Sequence, residues 1–244
     1  MSGYPRSYIA YNGPDVIAGA DACARGQSEG NEMIWELKAL ACLLLYPDEE
    51  LLKSLPEIGS TLRESAELDA NSKGQLKGLI EWIRETDMSS LQAAYVSTFD
   101  IGKHGSLNLF ERTQGDSRDR GHVMVELNRL YKEHGLELTT TELPDHLPVF
   151  LEFLAGLKRE DAQLWLESVV GPIKKIDHEL QLDASPWEAV TAALLDFAGA
   201  EREVVSERTP DEMIPTLDAE YYEAPVTFGG SVDPVSSQPS SSMF

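Results

Sequence analysis

The residues best placed to do chemistry surround Asp145 and His146, a pair with a proline on either side, Pro144 and Pro148. Asp145 is predicted to cap the following helix, because a carboxylate there accepts hydrogen bonds from free backbone N–H groups of the first turn. Glu152 lies seven residues further on, and this spacing places both carboxylates on one side of the helix, away from its leucine stripe. We expect two carboxylates on an exposed side, which could hold a basic ligand or one that donates backbone hydrogen bonds.

A second charged run, Asp116–His122, contains Arg118, Asp119 and His122. One interpretation is a capped helix start whose solvated face carries ion pairs, each worth a few tenths of a kcal/mol. The other is a binding role, because Arg118 and Arg120 near a helix N-terminus are repelled by the positive end of the macrodipole. A purely structural sequence would tend to avoid that small cost.

Four aromatic residues, Tyr95, Phe99, Phe110 and Phe150, fall within the same part of the chain. Aromatic side chains of this kind most often belong to the core. A groove that binds an amphipathic helix needs the same residue types along its floor. Both interpretations stay open on the residues alone.

Motifs do not support other kinds of site. The five histidines form no HxxxH pair and have no cysteine at metal-ligand spacing, so a dedicated metal site is not expected. There is no phosphate-binding G-x-x-x-x-G-K-[ST] loop, and no serine or cysteine stands out beside a base. A hydrolase that uses Asp145 and His146 is disfavoured, because neighbouring residues at a helix start point in different directions.

The charge balance limits the possible partners. The chain has 42 acidic against 20 basic residues and a formal charge of -22, so it repels phosphate backbones and attracts basic segments. Nucleic acid and anionic membranes are therefore not expected as partners, although solubility alone could also explain the charge. Cys23 and Cys42 form no disulfide framework, and neither a secretion signal nor a membrane-spanning apolar run is present. We expect a soluble cytoplasmic protein.

Helical spacing dominates the chain and no alternating strand of convincing length occurs, so the predicted fold class is all-α. We expect a single bundle-like domain of about nine to eleven helices over residues 32–205. Residues 1–31 are predicted to be a mobile extension. Residues 206–244 are predicted to be an acidic and then Gly-, Pro- and Ser-rich tail that is largely disordered.

The same spacing predicts the individual helices. The segment from Met33 to Pro47 is apolar on nearly all sides, which is typical of a helix at the centre of a bundle. Further helices are predicted at about 48–55, 57–69, 72–86, 90–99, 117–134, 145–157, 159–183 with a break near residues 171–172, and 186–204. The predicted caps are Asp48, Ser72 and Ser89 or Ser90. The long helix is predicted to end at Gly135, with an apolar face formed by Val123, Leu127, Leu130 and Tyr131.

Two segments together resemble a known family. They are LFERTQGDSRDRGHVMVEL at residues 109–127 and ELPDHLPVFLEFLAGL at residues 142–157. This pair is similar to the NarJ-type nitrate reductase assembly chaperones, which belong to the TorD-like maturation chaperones of molybdenum oxidoreductases. The resemblance covers about residues 33–200, and the two flanking segments lie outside it.

The resemblance implies an all-helical protein that is not an enzyme. Because the chain offers neither a phosphate loop nor a broad basic surface, we expect it to hold no polyanionic cofactor of its own. Such chaperones bind the N-terminal segment of the catalytic α subunit of a respiratory nitrate reductase. They keep it in the cytoplasm while the molybdenum cofactor and an iron–sulfur cluster are inserted, without stable membrane association and with cofactor biosynthesis proteins as possible partners. The alternative is a structural subunit that stays in the membrane reductase.

The resemblance also implies client-binding residues. The family's P-D-H signature and following Glu fall on Pro144, Asp145, His146 and Glu152; its Y-x-x-x-F, L-F-E and S-R-D-R-G elements fall on Tyr95, Phe99, Phe110, Glu111, Arg118 and Asp119, with His122 next to the last. Our hypothesis is that Asp145 and Glu152 engage donors of the client, with Phe99 and Phe110 as apolar contacts nearby. His122 and His146 could titrate near neutrality and modulate release of the client.

Overall fold

The computed structural model describes residues 9–11, 33–101, 106–111, 117–139 and 141–205. Within these ranges the chain forms nine helices and two short strands, so the all-α prediction is confirmed. The strands are β1 (Ile9–Tyr11) and β2 (Leu136–Leu138), and the helices are α1 (Trp35–Leu43), α2 (Glu49–Glu64), α3 (Ala70–Glu85), α4 (Met88–Phe99), α5 (Ser117–Glu133), α6 (Leu147–Ala155), α7 (Arg159–Ser168), α8 (Val170–Leu182) and α9 (Glu188–Phe197). No helix in these ranges is long and apolar enough to cross a membrane.

Helix α1 lies at the centre of the core, as its all-round apolar sequence predicts. Its residues from Leu37 to Leu43 are all buried, and the helix packs against α6, α2 and α9. The backbone N–H of Ile34 donates to the Ala155 carbonyl at 2.9 Å, which ties the start of α1 to the end of α6. A helix buried on all sides in this way sets the positions of the elements around it.

Helix α2 is a single helix, so the prediction of two helices separated at residue 56 is wrong. Pro56 lies inside α2, where it removes a backbone hydrogen bond and costs roughly 3 kcal/mol. Leu51, Leu55, Ile58 and Leu62 nevertheless continue one buried stripe across it. Each such side chain contributes about 1.5–3 kcal/mol on burial, so the stripe outweighs the proline.

Aspartates cap the helices of the N-terminal half. The prediction for Asp48 is confirmed, since its carboxylate accepts the backbone N–H of the third helical residue at 2.9 Å. The predicted caps Ser72 and Ser89–Ser90 are wrong, because α3 and α4 begin earlier, after Asp69 and Asp87. A carboxylate also interacts favourably with the positive end of the helix macrodipole, which a hydroxyl does not.

The long helix α5 follows the predicted pattern and then leads into a strand. Leu127 and Tyr131 are buried on its inner face, and Gly135 takes a left-handed φ of 72° just after its end. Strand β2 then pairs antiparallel with β1, with Ala10 opposite Glu137. Three residues are too few to show an alternating pattern, which is why neither strand was predicted, including the one inside the extension at residues 1–31.

The last three helices contribute to the same core as the others. The break between α7 and α8 falls at Val169 rather than near residues 171–172, because Pro172 fits the first turn of α8, where no N–H is needed. Trp187 precedes α9 and is fully buried, with its indole N–H donating to the Leu43 carbonyl at 3.1 Å. The rings of Tyr95 and Phe99 pack edge-on against it at centroid distances of 5.8 and 5.3 Å.

One buried ion pair joins α1 to α6. The Lys38 ammonium contacts the Glu152 carboxylate, and both side chains are about 95% buried, with exposures of 5% and 4%. Removing one partner would deprive the other buried charge of this ion pair, whereas replacing both with apolar side chains removes the desolvation cost as well.

We therefore expect Lys38→Met to lower the free energy of unfolding by about 3–5 kcal/mol, and Lys38→Met/Glu152→Met to recover most of it. Lys53→Met is the matched control, since Lys53 pairs with Glu49 at the surface and should change stability by less than about 0.5 kcal/mol. Urea denaturation followed by circular dichroism measures all three. Equal effects for Lys38→Met and Lys53→Met would contradict this account of the pair.

Candidate functional site

An open groove of about 310 Å³ lies between α5, α6 and α7 and is called here the α5–α7 groove. A pocket of this size is at the lower end of ligand sites and holds a few side chains rather than a whole cofactor. Its lining residues are Phe110, His122, Val123, Glu126, Leu127, Arg129, Leu130, Glu133, Phe150, Trp165, Ser168 and Val169.

The floor of the groove is apolar. From α5 it takes Val123, Leu127 and Leu130, the inner face that the helical period predicts. Phe150 of α6 lies beneath them and is itself buried in the core. Phe110 adds an aromatic ring from the short segment that precedes α5. Apolar side chains spaced along one helix form the surface that an amphipathic helix recognises.

The α5 side of the groove has an ionised rim. Arg129 lies 3.0 Å from Glu126 and 3.7 Å from Glu133, at the i−3 and i+4 positions of the same helix. All three side chains are exposed to solvent, by 48% to 65%. The two glutamates and one arginine give the rim a net charge of -1. His122 lines the groove from the N-terminal part of the same helix.

Helix α7 supplies the opposite wall through Trp165. Its buried face is formed by Ala162 and Leu166, yet Trp165 and Leu164 are 36% and 64% exposed. Large apolar side chains in solvent on an otherwise polar helix are a feature of binding surfaces. Of these two residues, Trp165 lines the groove and Leu164 does not.

The segment of residues 107–110, here called the 107–110 turn, is fixed to the start of α6. The Leu147 N–H donates to the Leu107 carbonyl at 2.8 Å, and the Leu109 N–H donates to the Asp145 carbonyl at 3.0 Å. The Asp145 carboxylate then accepts the Phe110 N–H at 3.2 Å. These three bonds place the Phe110 ring at the groove.

Asp145 does not cap α6, and it is not exposed, so both of those predictions are wrong. The N-cap position is His146, and Asp145 lies one residue earlier with no exposed surface. Its Oδ2 atom is 3.8 Å from the Arg120 guanidinium of α5, while its Oδ1 atom has no hydrogen-bond partner in the described part of the chain. Burial raises the pKa of this carboxyl, and the Phe110 N–H and Arg120 oppose the shift.

A tyrosine of α5 completes the same junction. The Tyr131 hydroxyl donates to the Pro144 carbonyl at 2.6 Å. Burial, together with the nearby Asp145 charge, raises the pKa of Tyr131 far above its ordinary value, so the hydroxyl keeps its proton. Helix α5 is therefore attached to the start of α6 at two points, through Arg120 and through Tyr131.

Glu152 is also not where the sequence placed it. The predicted pair of exposed carboxylates is wrong, because Glu152 is buried and paired with Lys38 of α1. The spacing argument took the side of α6 opposite the leucines to be solvent. In the structure that side packs as well, and all nine residues of α6 are buried.

The other predicted site residues divide into two groups. Tyr95 and Phe99 are buried against Trp187 in the core, away from the groove, and the Tyr95 hydroxyl donates to the Leu44 carbonyl at 2.9 Å. Phe110 and His122 line the groove. Glu111 is exposed and accepts hydrogen bonds from Ser106 and Asn108 beside the 107–110 turn. Arg118 and Asp119 belong to the first turn of α5, and their side chains lie outside the described part of the structure.

Sequence reasoning missed the α7 wall and the outer residues of the α5 rim. A usable signal was present at residues 164–166, where Leu-Trp-Leu gives three consecutive large apolar residues. A helix that packs through one face needs only one of these three positions to be apolar. The two additional apolar residues indicate that α7 has a second contact surface.

A second cleft lies between the start of α1 and the end of α2. It has a volume of about 490 Å³ and is lined by Trp35, Glu36, Glu57, Thr61, Glu64, Ser65 and Ala66. It is more open and more polar than the α5–α7 groove. No group of three or more His, Cys, Asp or Glu side chains within the described ranges is arranged to hold a metal ion.

Comparison with known proteins identifies the family. The family model described as nitrate reductase delta subunit matches residues 65–187. The chain is 33% identical over 199 residues to the nitrate reductase molybdenum cofactor assembly chaperone NarJ of Escherichia coli (strain K12), covering 79% of this chain and 84% of that relative. The chain belongs to the nitrate reductase delta subunit family.

Two further relatives carry related names. The chain is 31% identical over 157 residues to a probable nitrate reductase molybdenum cofactor assembly chaperone NarJ of Bacillus subtilis (strain 168), covering 64% of this chain and 84% of that relative. It is 28% identical over 163 residues to the nitrate reductase-like protein NarX of Mycobacterium tuberculosis (strain ATCC 25618 / H37Rv), covering 67% of this chain and 24% of that relative. The residues matched by the family model include the whole α5–α7 groove and the junction at Asp145.

The His146 imidazole gives a test of how tightly this junction is packed. Burial lowers its pKa to about 4, whereas the unfolded chain takes up a proton near pH 6.5. The contribution of neutral His146 to the free energy of unfolding is therefore fully present above pH 6.5. It is lost as the pH falls towards 4. Between pH 7 and 4.5 the wild type should lose on the order of 2 kcal/mol more than His146→Asn.

Chemical denaturation of the wild type and of His146→Asn at a series of pH values measures this difference. Groups that titrate in both proteins contribute equally and cancel when the two free energies of unfolding are subtracted. His122→Asn, which replaces an exposed histidine, is the matched control. A wild-type pH profile that coincides with that of His146→Asn would contradict the buried neutral imidazole.

Proposed function

We propose that this chain is an assembly chaperone for a nitrate reductase and binds the N-terminal segment of its catalytic α subunit in the α5–α7 groove. The bound client is kept competent for insertion of the molybdenum cofactor and an iron–sulfur cluster before it joins the membrane. The names of the relatives support the chaperone role. The observation that carries the binding mode is an open apolar groove whose far wall is an exposed tryptophan.

A helical client segment fits this groove better than an extended one. Val123, Leu127 and Leu130 follow each other at helical spacing along α5, and Trp165 faces them from α7. A helix with apolar residues at every third or fourth position can lie between two such walls. Its apolar contacts would supply most of the affinity, at roughly 25 cal/mol per Å² buried.

Charge favours a client segment that is basic. The chain carries a formal charge of -22, and the rim of the groove contributes Glu126 and Glu133 against Arg129. Such a field speeds the encounter with a cationic segment and helps to set its register, while adding less to the final affinity. We assign the protein to the cytoplasm, where an α subunit that lacks its cofactor would be met.

The same charge bears on the cofactor. A molybdenum–pterin dinucleotide is polyanionic and is repelled by a strongly acidic protein. We therefore propose that the client receives the cofactor, with cofactor biosynthesis proteins as possible further partners, while this chain holds none. Stoichiometric pterin in the purified chain would contradict this part of the proposal.

Trp165→Ala should weaken the binding of a synthetic peptide with the N-terminal sequence of the α subunit by about tenfold or more, as expected for a central aromatic contact. Leu164→Ala is the matched control, since Leu164 is on the same helix, is more exposed and lies outside the groove lining. Its affinity should stay within about twofold of wild type. Isothermal titration calorimetry measures binding after equal melting temperatures are established, and equal affinities for the two variants would refute the groove as the site.

The family's description as a delta subunit favours a second candidate, a structural subunit retained in the membrane reductase. The two differ in what happens after assembly. A chaperone should leave membranes that carry the finished reductase when they are washed in high salt, and it should accumulate with the α subunit in cells that cannot make the cofactor. Retention in constant ratio to the α subunit through the wash would establish the subunit instead.

A further inference from the structure

We infer that Asp145 is a positioning residue that sets one end of the α5–α7 groove by fixing Phe110, and that it acts on the client without touching it. The inference rests on the proposed function for its effect on binding. The claim that Asp145 fixes Phe110 rests only on the contacts between the 107–110 turn, α5 and α6.

Two backbone hydrogen bonds join the turn to the start of α6, one at Leu107 and one at Leu109. The Leu107 carbonyl and the Leu109 N–H are bonded to the main chain of Leu147 and Asp145, and these bonds survive any change of side chain at residue 145. The Asp145 carboxylate extends the attachment by one residue, because its Oδ2 atom accepts the Phe110 N–H at 3.2 Å. That residue is the one whose ring reaches the groove.

The same carboxylate oxygen also reaches helix α5. Arg120 of α5 lies 3.8 Å from Oδ2, and its side chain is one-third exposed, whereas that of Asp145 is fully buried. Helix α5 carries most of the groove lining, from His122 to Glu133. One charged group therefore holds the Phe110 end of the groove and the first turns of α5 at a fixed separation.

Burial excludes a direct contact between Asp145 and a client. With no exposed surface, its carboxylate cannot meet a donor of a bound peptide unless the junction opens. A neutral acceptor would also satisfy the Phe110 N–H, and at a lower desolvation cost. Compared with a neutral acceptor, the carboxylate forms a stronger hydrogen bond and pairs with Arg120. Any effect of residue 145 on binding must then pass through Phe110 and Arg120.

The first test needs no client. Amide hydrogen exchange followed by NMR should show that Asp145→Leu lowers the protection of the Phe110 amide by about tenfold or more, while the Leu109 amide keeps its protection. Asp145→Asn retains an acceptor at the same place and should keep most of the Phe110 protection. An unchanged Phe110 amide in folded Asp145→Leu would overturn the inference whatever the client is.

The second test is a double-mutant cycle on binding of the α-subunit N-terminal peptide. Asp145→Leu should weaken binding about tenfold when Phe110 is present and less than about twofold in a Phe110→Ala background, because coupled residues are not additive. Should Asp145→Leu fail to fold, Arg120→Gln replaces it, since this side chain is partly exposed; it should weaken binding about threefold with Phe110 and not without it.

The outcomes separate the two proposals. Equal losses in both backgrounds would overturn the positioning role and leave the chaperone function intact. No binding of the peptide to the wild type would overturn the proposed function, while the exchange experiment would still decide the role of Asp145 in holding Phe110.

Discussion

The complete burial of α6 is the constraint on which the rest of the structure depends. All nine residues of this helix are buried, so every polar group that it carries must find its partner inside the protein. Glu152 meets Lys38 of α1, and Asp145 just before the helix meets the Phe110 N–H. One side of α6 thereby fixes the centre of the bundle, and its start fixes the 107–110 turn.

The groove follows from this arrangement. Helices α5 and α7 both pack beside α6, and the apolar surface left between them, above the buried Phe150, is the α5–α7 groove. A rigid, buried floor with more exposed walls is suited to holding a segment of another protein, because the floor does not have to be ordered on binding. Under the proposed function, that segment belongs to a subunit of a nitrate reductase, the enzyme for which the family is named.

Sequence patterns correctly predicted the features that are determined within one helix. The central α1, the inner face of α5 and the end of α5 at Gly135 follow from periodicity and from local backbone chemistry. The exposure of Asp145 and Glu152 was mispredicted because a helical wheel gives the direction of a side chain but not what lies there. Whether the side opposite the leucines faces solvent or α1 is decided by tertiary packing, and Lys38 is 114 residues away from Glu152. The sequence left Tyr95 and Phe99 open in the same way, because their burial depends on Trp187, which is distant in the chain.

The central claim is that a client segment lies in the α5–α7 groove, and its most direct test is hydrogen–deuterium exchange of the full chain with and without the α-subunit N-terminal peptide. The account predicts that the peptide slows exchange in residues 122–133 and 164–169. Residues 57–66, beside the second cleft, should exchange at an unchanged rate. Protection of residues 57–66 with no change along α5 and α7 would contradict the account.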